Sequence, residues 1–229
     1  MENQNLLQHN IAFRNTITSF IIPCILFMFL HLITGPISSV VFINSLHNKP
    51  LDYLFKHITH LGDGIVLIPI SLFMLFKGIY YSISFIIAAT LQGTILIICK
   101  KILFTASARP IHYLDHETIH FIPGVVVHHW NTFPSGHTTT AFGMFILLAL
   151  VLHHVPISRF LMLLAVLTGI SRIYLLQHFA LDVAIGGLIG IGTSLASYYW
   201  IVTNQNKPQW MHKRIRILKE RNQIKIAIA

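Results

Sequence analysis

The stretch 62–99 reads GDGIVLIPISLFMLFKGIYYSISFIIAATLQGTILIIC, and Asp63 and Lys77 are its charged residues. Only the pair Lys77-Gly78 separates two apolar runs of this stretch, each nearly long enough to cross a membrane. A helix of about 20 residues crosses about 30 Å of hydrocarbon. The stretch therefore predicts two membrane-spanning helices joined by a tight turn.

The rest of the chain has the same apolar character. Hydrophobic residues make up 54% of the 229 residues and charged residues 10%, whereas a soluble domain uses roughly 25% charged residues. These figures exclude a water-soluble monomer, a disordered chain and a disulfide scaffold. We expect an all-α, polytopic membrane protein with six transmembrane helices and a long extracytoplasmic loop. The six predicted spans are about 14–34, 62–78, 79–99, 138–155, 158–176 and 182–203.

Basic residues crowd the C-terminal end and predict the orientation. Seven of the 16 lysines and arginines follow residue 206, and such residues beside a span mark the cytoplasmic side. We expect a six-helix membrane domain over 1–206 and a basic cytoplasmic tail over 207–229. With six spans the N-terminus is also cytoplasmic and the loop 100–137 faces outward. The net charge of +9 is explained by this anchor, so no nucleic-acid partner is expected.

Three short clusters lie close to the predicted outer ends of helices, and the predicted topology places all three on one face of the membrane. They are Lys101-ILFTASA-Arg109-Pro110, Pro134-Ser135-Gly136-His137 and Ser171-Arg172-IYLLQ-His178-FAL-Asp182. An arginine side chain matches a tetrahedral oxyanion with two hydrogen bonds, and a lysine adds a point charge. Ser135 and Gly136 directly precede the fourth span, where backbone N–H groups at a helix N-terminus favour an anion. The clusters predict a phosphate-binding site.

The histidines of these clusters indicate phosphoryl transfer. His178 and Asp182 are four residues apart, so on a helix they share one face and the carboxylate accepts a hydrogen bond from the imidazole. That bond fixes one tautomer and leaves the other ring nitrogen free as a nucleophile or base. His137 lies on another helix. Two histidines suit a covalent reaction in which one attacks phosphorus and the other protonates the leaving oxygen.

With these motifs the chain resembles the type 2 phosphatidic acid phosphatase superfamily, which includes integral membrane lipid phosphatases and soluble vanadium haloperoxidases. The second and third clusters match its patterns Pro-Ser-Gly-His and Ser-Arg-x5-His-x3-Asp in full. The first departs from Lys-x6-Arg-Pro, since seven residues separate Lys101 from Arg109, and Lys100 stays open as the motif lysine. The resemblance covers about residues 51–203.

The resemblance implies a role for each matching residue. His178 is expected to form a phosphohistidine, with Asp182 orienting it and His137 as general acid. The expected phosphate-binding residues are Lys101, Arg109, Ser135, Gly136 and Arg172. The resemblance also implies that no metal or cofactor is needed.

The expected activity is hydrolysis of a terminal phosphomonoester or pyrophosphate of a lipid at the outer face of a membrane, by inference a bacterial inner membrane. A lipid phosphotransferase with the same site is the main alternative. A vanadate-dependent haloperoxidase and a non-catalytic lipid transporter are further alternatives. The expected partners are the lipid phosphate substrate and membrane lipids, while the particular lipid and the oligomeric state stay open.

Two further patterns carry alternatives. His112, His116 and His120 recur at four-residue intervals, so on a helix they would form one stripe, either an interfacial stripe or a metal site, of which we favour the former. The pair Asp63-Gly64 predicts a helix cap and turn, with a substrate contact as the alternative.

Overall fold

The computed structural model of the protein describes residues 2–204, 206–220 and 223–228, so Arg221 of the predicted basic tail lies outside the described residues. The α-helices and strands are α1 (Glu2–Thr34), α2 (Pro36–Ser45), α3 (Lys49–Ile58), α4 (Leu67–Met74), α5 (Ile79–Ile98), α6 (Gly136–Leu152), α7 (Val155–Tyr174), α8 (Ala180–Ser197), β1 (Ile215–Glu220) and β2 (Gln223–Ile228). Single turns of 3₁₀-helix cover Thr59–Gly62, Gly64–Val66, Pro110–Tyr113 and Gln209–His212, and π-helical turns extend α5 and α8 over Cys99–Leu103 and Tyr198–Val202.

Helix α6 lies at the centre of the helical domain. It packs against α7 and α8, and α1 packs mainly against α8. Most side chains of α6 are buried, whereas α1 exposes large apolar side chains such as Leu26, Phe29 and Leu32. A helix that exposes apolar side chains in this way is suited to contact with lipid. The protein is thus a helical membrane protein built around a buried central helix.

Two glycines let the backbones of α6 and α8 approach each other. A Cβ atom at Gly186 would lie 2.5 Å from the carbonyl oxygen of Ser135, and one at Gly190 would collide with the carbonyl oxygen of Thr139. Larger residues at these positions would push the helices apart. At the ends of the helices, the Ser135 N–H donates to the Asp182 carbonyl oxygen at 3.0 Å. The N-termini of α6 and α8 are therefore fixed together through backbone atoms.

The predicted spans correspond only in part to the observed helices. Within the described residues, four helices are long and apolar enough to cross a membrane, over Ile11–Thr34, Ile79–Leu103, Val155–Tyr174 and Ala180–Val202. In place of a straight second span over 62–78, the chain from Lys49 to Met74 forms two helical segments with an angle of 60° between them. The break falls at Asp63, whose backbone is extended between two 3₁₀ turns.

The described part of the C-terminal segment adds a short hairpin to the all-α membrane domain. Strands β1 and β2 pair antiparallel within the segment predicted as a basic tail. The start of this hairpin is attached to the α4–α5 turn, because the Ile215 N–H donates to the Leu75 carbonyl oxygen at 3.0 Å. The Ile79 N–H likewise donates to the Lys213 carbonyl oxygen at 2.9 Å. The alternating Ile224, Ile226 and Ile228 have the period of a strand, a signal that the prediction from basic charge did not use.

Candidate active site

The N-terminus of α6 places two of the predicted residues in a polar cavity of about 460 Å³. Gly136 and His137 line this cavity. Ser135 is the N-cap residue of α6 and is fully buried. Its hydroxyl lies 2.9 Å from the Thr138 hydroxyl. The side chain of Ser135 therefore serves the helix end, and the contribution of this turn to the cavity comes from Gly136 and His137.

The connection between α7 and α8 positions His178. The N–H groups of Gln177 and His178 both donate to the Arg172 carbonyl oxygen, at 2.9 and 3.1 Å. These bonds close the end of α7 and turn the His178 side chain into the cavity. The ring of His178 is almost fully buried.

Asp182 and Thr132 hold one nitrogen of His178. Asp182 Oδ2 lies 3.4 Å from His178 Nδ1, and the Thr132 hydroxyl lies 3.3 Å from the same nitrogen. The Thr132 hydroxyl also donates to Asp182 Oδ2, and the Phe179 N–H donates to that oxygen at 2.9 Å. Because Nδ1 faces this carboxylate, Nε2 is the nitrogen available to the cavity.

Two arginines add positive charge to the cavity wall. Arg109 Nη1 donates to Gln177 Oε1 at 2.7 Å, and Arg109 Nε donates to the Trp130 carbonyl oxygen at 2.9 Å. Arg172 Nη1 donates to the Thr59 hydroxyl at 2.7 Å. Arg172 Nε is buried and has no hydrogen-bond partner among the described residues. A buried unpaired donor costs free energy, and an oxyanion would satisfy it.

Lys100, and not Lys101, is the lysine of the cavity wall. Lys100 lines the cavity, whereas Lys101 is exposed. Both lysines lie in the π-helical turn Cys99–Leu103, where the Phe104 N–H donates to the Cys99 carbonyl oxygen at 2.7 Å. A π turn contains one residue more than an α turn, so it rotates the following side chains away from their α-helical directions. Of the two lysines left open by the first motif, the structure therefore places Lys100 in the cavity wall.

A second imidazole–carboxylate pair in the cavity joins His137 to Asp63, a residue outside the three clusters. Asp63 Oδ1 lies 2.8 Å from His137 Nε2, and Asp63 Oδ2 lies 2.8 Å from His60 Nδ1. Asp63 occupies a cap position but makes no side-chain hydrogen bond to the following turn. Within the described residues its carboxylate therefore serves the two histidines, which corrects the cap interpretation.

The cavity brings together side chains from all parts of the helical domain. Its lining residues are Lys56, Thr59, His60, Asp63, Lys100, Arg109, Gly124, Val125, Val126, His128, Gly136, His137, Arg172, Leu175, Gln177 and His178. Asp182, Ser135 and Thr132 are buried behind this lining. Burial, together with the charges of Arg172 and Arg109, lowers the pKa of His178 well below its usual range. A neutral imidazole is the form that can act as a nucleophile.

The histidines of the proposed stripe do not share a helix face. Only Pro110–Tyr113 forms a single 3₁₀ turn, and the backbone around His116 and His120 is irregular. His112 packs on Trp130, while His120 Nε2 lies 2.9 Å from Asp52 Oδ2. The four-residue interval thus places the imidazoles in separate surroundings.

Some residues of the site were missed by sequence reasoning. Thr132 and Gln177 contact the histidine and arginine of the clusters, and each lies within three residues of a motif residue. Their position beside the motifs was the available signal. Thr59 had no comparable signal, since it reaches the site only through the bend after α3, whereas Asp63 was singled out as a cap with a substrate contact as the alternative.

The fold and the cavity define a helical membrane protein with a cationic, histidine-containing site at the ends of its helices. The PAP2 superfamily model matches residues 77–206, more than half of the chain. The structure is also similar to the crystal structure of Aquifex aeolicus LpxE, with a TM-score of 0.62 and 31% sequence identity, covering 72% of this chain and 94% of that one. No curated protein sequence matches the chain. The protein belongs to the PAP2 superfamily, as the resemblance of its motifs predicted.

Proposed function

We propose that the protein is an integral membrane lipid phosphatase that hydrolyses a terminal phosphomonoester or pyrophosphate through a phosphohistidine at His178, without a metal or cofactor. One observation carries this proposal. The Nδ1 side of the buried His178 ring faces Asp182, while its other side lines a cavity shared with Arg109 and Arg172. This arrangement supplies an oriented nucleophile beside fixed positive charges.

The cations of the cavity account for phosphate binding. Arg172 Nε offers an unpaired donor, and Arg109 is held in place by Gln177 and Trp130. Lys100 adds a charge from the turn after α5, and Gly136 adds backbone N–H groups at the N-terminus of α6. In phosphoryl transfer, charge spreads over the equatorial oxygens, so such donors stabilise the transition state. Lys101 and Ser135, which were also predicted to bind phosphate, take smaller roles in this proposal.

The reaction then follows two steps. His178 Nε2 attacks phosphorus, the bond to the lipid oxygen breaks, and His137 gives a proton to that oxygen. Asp182 stabilises the positive charge that develops on the His178 ring. In the second step His137 takes a proton from a water molecule, whose oxygen attacks phosphorus and breaks the P–N bond. Inorganic phosphate leaves and both histidines return to their starting states.

The proposal includes the six-span topology, with both termini in the cytoplasm and the cavity on the outer side of a bacterial inner membrane. The bent pair 49–74 and the short helix α6 act as the second and fourth spans in this topology. The lipid tail stays in the bilayer while the phosphate enters the cavity. Extraction of the tail would cost about 0.8 kcal/mol for each exposed CH₂ group.

The test is a phosphate-release assay on the purified, detergent-solubilised protein. Suitable substrates are phosphatidic acid, phosphatidylglycerol phosphate, undecaprenyl pyrophosphate and lipid A. We expect release from at least one of them, unchanged by EDTA, because the arginines and lysine supply the charge that a metal would bring. Activity that disappears in EDTA and returns with Zn²⁺ or Mg²⁺ would contradict the metal-free reaction. Transfer to a second lipid without release would indicate a phosphotransferase.

A further inference from the structure

Asp63 lies between two histidines at the open side of the cavity. Its two carboxylate oxygens contact different rings, Oδ1 with His137 Nε2 and Oδ2 with His60 Nδ1, each at 2.8 Å. All three residues line the cavity. The His60 side chain is 66% exposed, while Asp63 and His137 are about one-third exposed. His60 therefore holds the outer oxygen and His137 the inner oxygen of one carboxylate.

We propose that Asp63 is a positioning residue for His137, fixing its ring and its protonated state so that it can protonate the leaving oxygen. This inference rests on the proposed function, in which His137 is the general acid. A carboxylate that accepts from Nε2–H favours the protonated ring and determines which nitrogen keeps a proton. Nδ1 is then the nitrogen that gives and regains a proton.

The two proton transfers balance in this arrangement. In the first step the Nδ1–H proton moves to the lipid oxygen as its bond to phosphorus breaks, and His137 becomes neutral with its remaining proton on Nε2, facing Asp63. In the second step Nδ1 takes a proton from the attacking water, which restores the imidazolium. Asp63 keeps its charge throughout, and His60 holds its second oxygen.

The surroundings of His137 explain why a carboxylate is needed there. Burial disfavours the protonated ring, and Arg172 of α7, Lys100 of the turn after α5 and Arg109 of the long loop also act on His137. Their positive charges oppose protonation of a nearby imidazole. Asp63 is the carboxylate among the described lining residues, so it is the group that opposes this effect before an anionic substrate arrives.

The test compares leaving groups in Asp63→Asn. An alkyl phosphate releases a strongly basic alkoxide and depends on the acid, whereas the alkyl diphosphate of the same chain length releases a weakly basic phosphate ester. We expect Asp63→Asn to lower kcat for the monophosphate by about 10- to 100-fold and for the diphosphate by less than about 3-fold. For the monophosphate, the alkaline limb of the pH profile should move to lower pH, because the imidazolium loses its stabilising partner.

Asp52→Asn is the matched control, because Asp52 also pairs with a histidine, His120, but lies outside the cavity lining. It should leave the ratio of the two rates unchanged. Equal losses on both substrates in Asp63→Asn, or no loss on either, would overturn the proposal. The variant's own diphosphate activity shows that it is folded. His178→Ala separates the two claims, since its activity on either substrate would contradict the phosphohistidine mechanism itself.

Discussion

The two imidazole–carboxylate pairs of the cavity differ in their access to water. The side chains of His178 and Asp182 are 2% and 5% exposed, whereas those of His137 and Asp63 are 32% and 35% exposed. The first pair is enclosed by Thr132 and the end of α7. The second is bordered by the exposed His60.

This difference suits the two pairs to different tasks. A buried pair keeps a fixed geometry and a neutral ring, as a nucleophile requires, because water does not compete for its hydrogen bonds. A half-open pair can gain and lose protons at each turnover, as an acid and base requires. The contrast indicates that the buried pair tolerates substitution less than the open pair.

The largest expected effect is that of His178→Ala. It should lower kcat by more than about 1,000-fold, because a nucleophile has no substitute at that position. His137→Ala should lower kcat by less, about 100-fold, because water can reach the open pair and carry out part of the proton transfer. Both variants should elute like the wild type in size-exclusion chromatography. Greater residual activity in His178→Ala than in His137→Ala would reverse the assignment of the pairs.

The next effect concerns the lysine on the wall shared by both pairs. Lys100→Ala should lower kcat/KM by about 10- to 100-fold, or about 1.4 to 2.7 kcal/mol. Lys101→Ala is the neighbouring control and should stay within about 3-fold, because its side chain is exposed. Steady-state kinetics on one lipid phosphate measures both. A larger loss of kcat/KM in Lys101→Ala than in Lys100→Ala would show that Lys101, and not Lys100, contacts the bound phosphate.

A smaller effect is expected for Thr132→Val, which removes the hydroxyl shared by Asp182 and His178. We expect kcat to fall by about 10-fold, because a network of buried hydrogen bonds loses one member while the ring keeps its carboxylate. Thr132→Ser should restore most of the rate. Thr118→Val is the control, since the Thr118 hydroxyl donates to a backbone oxygen in an exposed segment. A Thr132→Ser variant as slow as Thr132→Val would exclude the hydroxyl as the cause.

The smallest effect is on stability. The pKa of His178 is lowered in the folded protein, so below pH about 6.5 the unfolded chain takes up a proton that the folded chain does not. The free energy of unfolding is therefore unchanged by this group above pH about 6.5. It falls as the pH drops below that value, by about 1.4 kcal/mol at pH 5.5. Between pH 7.5 and 5.5, the Tm of the wild type should decrease by about 4 °C more than that of His178→Gln. Equal decreases would indicate that His178 is protonated when folded.

The sequence indicated the buried pair better than the open one. His178 and Asp182 are four residues apart at the start of one helix, so local geometry predicts their contact. The contact between His137 and Asp63 depends on the bend after α3, and no periodicity specifies that bend. Lys101 was expected to bind phosphate from the spacing of the first motif, but a π turn changes the directions of the side chains there and Lys100 lines the cavity.

The helical class of the membrane domain was also predictable, because apolar runs near 20 residues leave few other structures. The straight second span was not, since an apolar run specifies burial in lipid or protein but not the direction of its axis. For His112, His116 and His120, the sequence suggested a helix that the structure does not form. Their interval matches a helix, yet the chain there contains turns and irregular segments.

The glycine contact between α6 and α8 holds the proposed catalytic residues in place independently of the cavity wall that would contact the lipid. Gly186 and Gly190 join the two helices through backbone atoms, so the distance between the two halves of the reacting centre does not depend on the outer wall. That wall comes from Lys56 of α3 and from the segment 124–128, which take no part in the glycine contact. Exchange of these outer segments between related chains should therefore change which lipid is accepted while the catalytic step is kept.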